Sequence, residues 1–328
     1  MGLRKTLLAL GLSAAIAGGI TVSRPLEHII TNSKPFQNIA LRYSMTHDQS
    51  TDIVIPEYRS GKSLLLIHGF AASEQFWGYP ENPQSPISLA MDHYEGNVMT
   101  ATYPSTRSID DIAKSFNDIL KEELDEGEKT DVLGYSMGGL VARAMVREEP
   151  QLFNNVGMVA TPHSGFGIFP FTPVMRMLAP RYMSAALEGQ GIEYSPKELS
   201  GITDALEGSD FLKELNTTKE LEHRPNYNHF ILSNHEGRRI LRGKDDLLLS
   251  TDSTDPRKLI ANENMEDAIH RSVTYFTGNV NHFSSFHHPD IARTVISMIR
   301  YGTDERLTRY GVREVPENEL DFRRRLGF

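Results

Sequence analysis

The chain contains no cysteine. That removes a disulfide framework, a thiolate nucleophile and any metal site built on sulfur. It has no basic surplus either: 34 Lys and Arg face 43 Asp and Glu, for a formal net charge of −9. A chain so balanced is a poor match to the phosphate backbone of a nucleic acid, so nucleic acid is not an expected partner. No Gly-x-Gly-x-x-Gly opens a βαβ unit, which argues against a dinucleotide-dependent oxidoreductase. Tryptophan occurs once, at Trp77, and no internal repeat is visible.

What is present describes an ordinary folded protein. With 328 residues, 39% hydrophobic and 23% charged, the chain suffices for one large α/β domain with an insertion, or for two small domains. The first 24 residues differ from the rest. Arg4 and Lys5 precede an uncharged, mostly apolar run from Thr6 to Val22, with Ala15-Ile16-Ala17 as a small-x-small site. That pattern is expected of a signal peptide for export, or of an uncleaved N-terminal membrane anchor. The alternative is a buried first helix. No cysteine follows the run, so a lipid-modified anchor is excluded.

From residue 37 onward the pattern is that of a folded domain. Ile39 to Tyr43 and Asp52 to Ile55 read as a hairpin or edge strands, and Ser63 to Ile67 as a strand buried on both faces. Asn97 to Tyr103 forms a second central strand. Ser108 to Leu124 is a helix with one apolar face, and Ser108 with Asp111 resembles a capping box. Apolar strands follow at 131–135, 156–160, 228–233 and 272–277, with a helix after Ser136 and a last one from Pro289 to Ile299. This alternation predicts a mostly parallel, doubly wound sheet with helices on both faces, and functional residues where strands end. The rhythm breaks from Gly165 to about Arg224, first rich in Pro, Met and Phe, then in short polar helical pieces such as Ser209 to Leu215. This reads as a cap or lid over the site, or else as a surface excursion. The folded domain is expected to end near Gly302. The charged tail 303–328, with Arg323, Arg324 and Arg325, reads as a solvated extension.

The chain is organised around Gly134-Tyr135-Ser136-Met137-Gly138, a Gly-x-Ser-x-Gly between a strand and a helix. A serine on so sharp a turn is strained, and side chains two residues either side of it would clash. Neutral serine is a poor nucleophile and needs an imidazole base, which a carboxylate holds in the right tautomer. In a nucleophile elbow of this kind the order is serine, acid, histidine, which filters the 12 histidines. His28, His47, His68 and His93 come too early, and His163 follows Ser136 too closely. His223, His229, His235 and His270 precede the last strand. His282 is the first choice, with His287 and His288 as rivals at the start of the final helix. For the acid, Asp245 is preferred to Asp246; the alternative is that both face solvent. An oxyanion needs two N–H groups. Met137, after the nucleophile, supplies one, and Phe70, after His68-Gly69, the other. His68 fixes that loop rather than acting as a base. Trp77 packs near the loop or in the core.

At these residues the sequence resembles the α/β-hydrolase superfamily, and within it the lipase-like serine esterases. The resemblance runs from about Leu64 to Ile299. It rests on Ile67-His68-Gly69-Phe70, the Gly-Tyr-Ser-Met-Gly-Gly elbow, Ala160-Thr161-Pro162-His163-Ser164-Gly165, Glu207-Gly208-Ser209-Asp210-Phe211-Leu212, Asp245-Asp246-Leu247-Leu248 and Asn281-His282-Phe283-Ser284. It implies Ser136 as nucleophile, Asp245 as acid, His282 as base, and the Phe70 and Met137 amides as oxyanion hole. The insertion would then be a lid over an acyl pocket, and ester or lipid the substrate, with no cofactor. Where the family usually has Asp-Gly-x-Val, this chain has Asp245-Asp246-Leu247-Leu248, which leaves the two aspartates as competing choices. Some relatives hold structural calcium near the acid and base, but no ligand set for it is evident here. The same residues also serve acyltransferases, thioesterases and amidases, and a hydrolase fold can persist as a non-catalytic binding module.

Overall fold

The computed structural model describes residues 51–54, 62–70, 72–94, 96–165, 200–217, 226–234, 251–254, 256, 273–278, 282, 286, 288–301 and 312–316. In chain order the elements are β1 (Asp52–Val54), β2 (Lys62–Ile67), a 3-10 turn (Glu74–Trp77), α1 (Pro86–His93), β3 (Gly96–Thr102) and α2 (Ile109–Glu123). Then come β4 (Thr130–Tyr135), α3 (Met137–Glu148), a 3-10 turn (Pro150–Leu152), β5 (Phe153–Val159), α4 (Ser200–Asp204) and α5 (Asp210–Leu215). The last are β6 (Asn226–Asn234), α6 (Thr251–Thr254), β7 (Val273–Gly278), α7 (Pro289–Tyr301) and β8 (Val312–Pro316).

The strands form one sheet in the order β1-β3-β2-β4-β5-β6-β7-β8. Only β1, on β3, is antiparallel; every other pairing among them is parallel. The continuous apolar run of β2 has a direct reason. Leu65 and Ile67 enter a core with α2 and α3, while Leu64 and Leu66 enter a second core with α1 and α7. A strand covered on both faces has no polar alternation to show. The sheet is thus doubly wound, as the alternation of elements predicts. The expected strand at 39–43 lies outside the described residues. Trp77 belongs to the core: it is fully buried and makes edge-on ring contacts with Phe76 and Phe286.

Two expectations need correction. The helix at 109–123 is not closed by a Ser108–Asp111 capping box, since Ser108 makes no side-chain cap bond to it. Instead the Asp204 carboxylate, from α4, accepts the Ile109 N–H at 2.9 Å. An acidic group at a helix N-terminus meets both an orphan N–H and the positive end of the dipole. The burial that this docking requires raises the pKa of Asp204, against the backbone bond that lowers it. The tail is also more than a solvated extension, because Val312–Pro316 pairs with β7, Val312 opposite Val273. The strand is short, carries Arg313 and Glu314, and ends in Pro316, which has no N–H to offer a further strand.

Within the insertion, α4 and α5 are seen, while residues 166–199 and 218–225, with the Pro- and Met-rich part of the expected lid, lie outside the described residues. Both flanks of 166–199 are fastened near the carboxyl ends of the strands. Gly201 N–H donates to Thr106 O at 3.0 Å. A Cβ added to Gly165, at φ +89, would lie 2.3 Å from Glu207 N. Among the described residues no helix is long and apolar enough to cross a membrane, and the N-terminal run 6–22 is not among them.

Removing the Asp204 carboxylate should uncap α2. Asp204→Ala is expected to lower unfolding free energy by about 1–2 kcal/mol, the usual cost of a lost N-cap. Urea denaturation of the two proteins measures this, and equal midpoints would show that the contact contributes nothing.

Candidate active site

β4 is buried along its whole length, so its course is fixed up to Tyr135. The chain then reverses into α3 through one residue. Ser136 sits at φ 54, ψ −122, a conformation costing about 1–3 kcal/mol in a non-glycine residue. It persists because neighbours over-determine it. Ser136 N–H donates to Val159 O at 2.8 Å, and Ser136 O accepts from Gly139 N–H at 3.0 Å. The two motif glycines are demanded by close approach. A Cβ on Gly134 would lie 2.4 Å from Gly138 O, and one on Gly138 would lie 2.3 Å from Ile67 O.

His282, from the segment between β7 and α7, places Nε2 3.0 Å from Ser136 Oγ. It is buried, with 5% of its surface exposed. When the hydroxyl donates to Nε2, the imidazole is the Nδ1–H tautomer, and that N–H faces away from the serine, where an acid would be required. Asp245 and Asp246, the two candidates for that acid, lie outside the described residues, as does His287. His288 has a half-exposed side chain 3.9 Å from the Asp290 carboxylate at the start of α7.

The turn after β2 runs against Ser136. A Cβ on Gly69 would lie 3.1 Å from Ser136 Cβ and 3.7 Å from its Oγ. His68 Nδ1 is 2.8 Å from Gly69 O; facing a carbonyl, this nitrogen carries the proton. The bond fixes the Gly69–Phe70 peptide. Because that peptide is trans, holding its C=O on the His68 side turns the Phe70 N–H the opposite way. The His68 ring also stacks on Tyr103, centroids 4.1 Å apart, and the Tyr103 hydroxyl donates to His68 O. Full burial lowers the His68 pKa to about 4, opposed by the Gly69 bond. Met137 is the first residue of α3, where helix geometry leaves its N–H without an intrahelical acceptor.

A second buried polar chain went unread in the sequence. Arg143, on α3, faces His163 Nδ1 at 3.3 Å, and His163 Nε2 faces His229 Nδ1 at 3.1 Å. Arginine can only donate, so His163 accepts at Nδ1 and donates from Nε2 to His229. Burial first, then His229 and Arg143, hold the His163 pKa well below the ordinary imidazole value. Arg143 also donates to Leu215 O, and Asn216 donates to His163 O, so this chain ties the end of α5 to the elbow helix. The sequence signal was an arginine on the inward face of a helix that is otherwise apolar there. The hydroxyl of Tyr135 was likewise unread; it donates to His282 O.

Residues 62–191 match a family model described as the alpha/beta hydrolase fold. No curated protein matches the sequence. Among solved structures, a monoacylglycerol lipase from Paleococcus ferrophilus aligns with TM-score 0.50 and 15% identity, over 77% of this chain and 99% of that one. The propeptide form of a Bacillus licheniformis lipase aligns with TM-score 0.50 and 14% identity, over 77% of this chain and 53% of that one. The mature form of the same lipase gives TM-score 0.49 at 16% identity, over 77% and 98%. At such identities the likeness concerns the fold.

The neutral, buried His68 makes stability depend on pH. Its pKa in the folded chain, about 4, lies below the ordinary 6.5, so the unfolded chain binds the extra proton between these values. The contribution is present above pH 6.5 and lost as pH falls toward 4. His68→Asn keeps a donor for Gly69 O without the titration. Its unfolding free energy should fall less steeply from pH 6.5 to 4, by up to about 1.4 kcal/mol per pH unit. Denaturant titrations at several pH values decide this; parallel slopes would assign the dependence to other groups, such as His163.

Proposed function

We propose that this chain belongs to the α/β-hydrolase superfamily, whose fold model matches residues 62–191, and is a serine hydrolase cleaving carboxylic esters through an acyl-enzyme. One observation carries the reading: a strained elbow serine, Ser136, whose Oγ lies 3.0 Å from the imidazole Nε2 of His282. His282 takes the Ser136 proton as Oγ bonds to the ester carbonyl carbon. The resulting oxyanion is received by the N–H groups of Met137 and Phe70. His282 then gives the proton to the departing alcohol, and a water activated by the same imidazole releases the acid. Asp245 is assigned as the acid that orients His282, with Asp246 as the alternative.

The proposed substrates are lipid-like esters. The support is compositional: Phe169-Pro170-Phe171 and Met175, Met177 and Leu178 gather apolar side chains in the insertion whose flanks end beside the elbow. The residues at 1–22 support a further proposal, export of the protein or its retention at a membrane by that segment.

The decisive assay is hydrolysis of p-nitrophenyl butyrate and palmitate, with product analysis to separate hydrolysis from acyl transfer. Ser136→Ala and His282→Asn should each lower kcat about 10⁴-fold or more. Of Asp245→Asn and Asp246→Asn, the first should be crippled and the second nearly unaffected; the reverse result moves the acid to Asp246. Faster turnover of the palmitate ester supports a lipase. A wild-type protein that neither turns over an ester nor is labelled at Ser136 by a fluorophosphonate would sink the hydrolase reading. Export is tested by the mature N-terminus from a secreting host. Cleavage after Ala17 marks a signal peptide, an intact chain in the membrane fraction marks an anchor, and an intact soluble chain rejects both.

A further inference from the structure

β4 and β7 are not neighbours, because β5 and β6 lie between them. At the usual spacing of strands this separates their axes by about 14 Å. Ser136 follows directly on β4, yet His282 arrives on the segment that leaves β7. The sheet ladder therefore fixes the nucleophile and the base to two strands that share no hydrogen bond. Something other than the ladder has to hold a 3.0 Å contact between residues 146 positions apart.

Tyr135 meets that requirement. It is the last residue of β4, covalently next to Ser136, and its side chain turns to the α1–α7 side of the sheet. Its hydroxyl donates to the backbone carbonyl of His282 itself. Its ring lies 5.5 Å from the His282 ring, 4.7 Å from Phe76 and 5.7 Å from Phe286. Only 3% of the residue is exposed, so water does not compete freely for the bond. We infer that Tyr135 is a positioning residue: its phenol ties the backbone of the base to the residue that carries the nucleophile, and so sets the Ser136–His282 distance.

The inference rests on Ser136 and His282 acting as nucleophile and base, and it deepens that reading. A general base works only within hydrogen-bond reach, and a displacement of about 1 Å can cost on the order of 100-fold in rate. The tie needs both halves of the tyrosine. The ring is wedged among Phe76, Phe286 and His282, which fixes its direction, and the hydroxyl makes the polar contact to the His282 carbonyl. Phenylalanine keeps the first and lacks the second.

The test is Tyr135→Phe in the full chain, with thermal unfolding confirming an unchanged fold. Hydrogen–deuterium exchange of the peptide carrying His282 should quicken about tenfold, the scale of one lost buried hydrogen bond. Peptides from β4 and β5 should keep their rates. On p-nitrophenyl butyrate, kcat and the rate of fluorophosphonate labelling at Ser136 should fall about tenfold or more, with KM within twofold. Unchanged exchange around His282 overturns the inference, whatever the activity does. So does faster exchange with kcat and labelling unaltered, since the tie would then be structural only. If the wild type neither hydrolyses nor labels, the hydrolase reading fails. Faster exchange in the variant would then still establish the tie, stripped of its positioning role.

Discussion

The rest of the structure depends on one backbone conformation, that of Ser136. A non-glycine residue at φ 54, ψ −122 stays there only where its surroundings leave no alternative. Here three strand ends close around it. Val159 O takes its N–H, Gly138 rests on the carbonyls of Ile67 and His68, and Gly139 abuts the Thr161 side chain, buried at the end of β5. Ala160, next to Thr161, is the one other non-glycine residue with positive φ among those described. Two strained residues thus stand side by side on neighbouring strands, where the sheet stops and loops begin. The parallel ladder of β2, β4 and β5 supplies the rigidity that holds them.

Around this turn, two buried imidazoles are each held by a specific hydrogen bond. The imidazoles of His68 and His163 are kept neutral by burial, and each directs a ring N–H at a named acceptor. Neutrality matters because an ammonium-like charge so deep in the core would cost several kcal/mol unless paired. At the opposite end of the sheet a different solution appears. Asp131, at the start of β4, is met by Tyr94 OH, Asn154 and Asn155, including the Asn155 N–H at 2.9 Å. Burial raises its pKa against all four bonds. Nothing about it suggests an acid for His282, since it sits at the strand end remote from Ser136.

How much was legible in the sequence follows from the range of the interactions. β2, β4 and β5 announce themselves by continuous apolar runs, and the elbow by glycines whose need is set within the motif. The Ser136–His282 contact was legible through chain order and the place of His282 between the last predicted strand and the final helix, although 146 residues separate the pair. The cap of α2 was misread because its true acceptor, Asp204, is 95 residues away, beyond any local pattern. The strand at Val312–Pro316 was missed because a charged tail carries no apolar signal, while the open edge of β7 that receives it is a property of the sheet. The sequence favours Asp245 over Asp246, although the departure from the family pattern keeps Asp246 in competition, and neither falls among the described residues.

The two halves of the site are held by different means. On the Ser136 side the main constraints are backbone: ladder bonds, the Ser136 and Gly139 bonds, and glycines that allow main chains to touch. On the base side the described constraints are side chains, namely the Tyr135 phenol on His282 O and the aromatic packing of Phe76 and Phe286. The Gly69–Phe70 turn lies between these extremes, a backbone peptide held by the His68 ring. A backbone hydrogen bond survives most substitutions, because any residue but proline supplies the same N–H and C=O; Gly134 and Gly138 are the exceptions, since any side chain there would run into main chain. A side-chain constraint is lost with a single atom. Away from those glycines, sequence change should therefore leave the elbow's shape intact far more readily than the placement of His282.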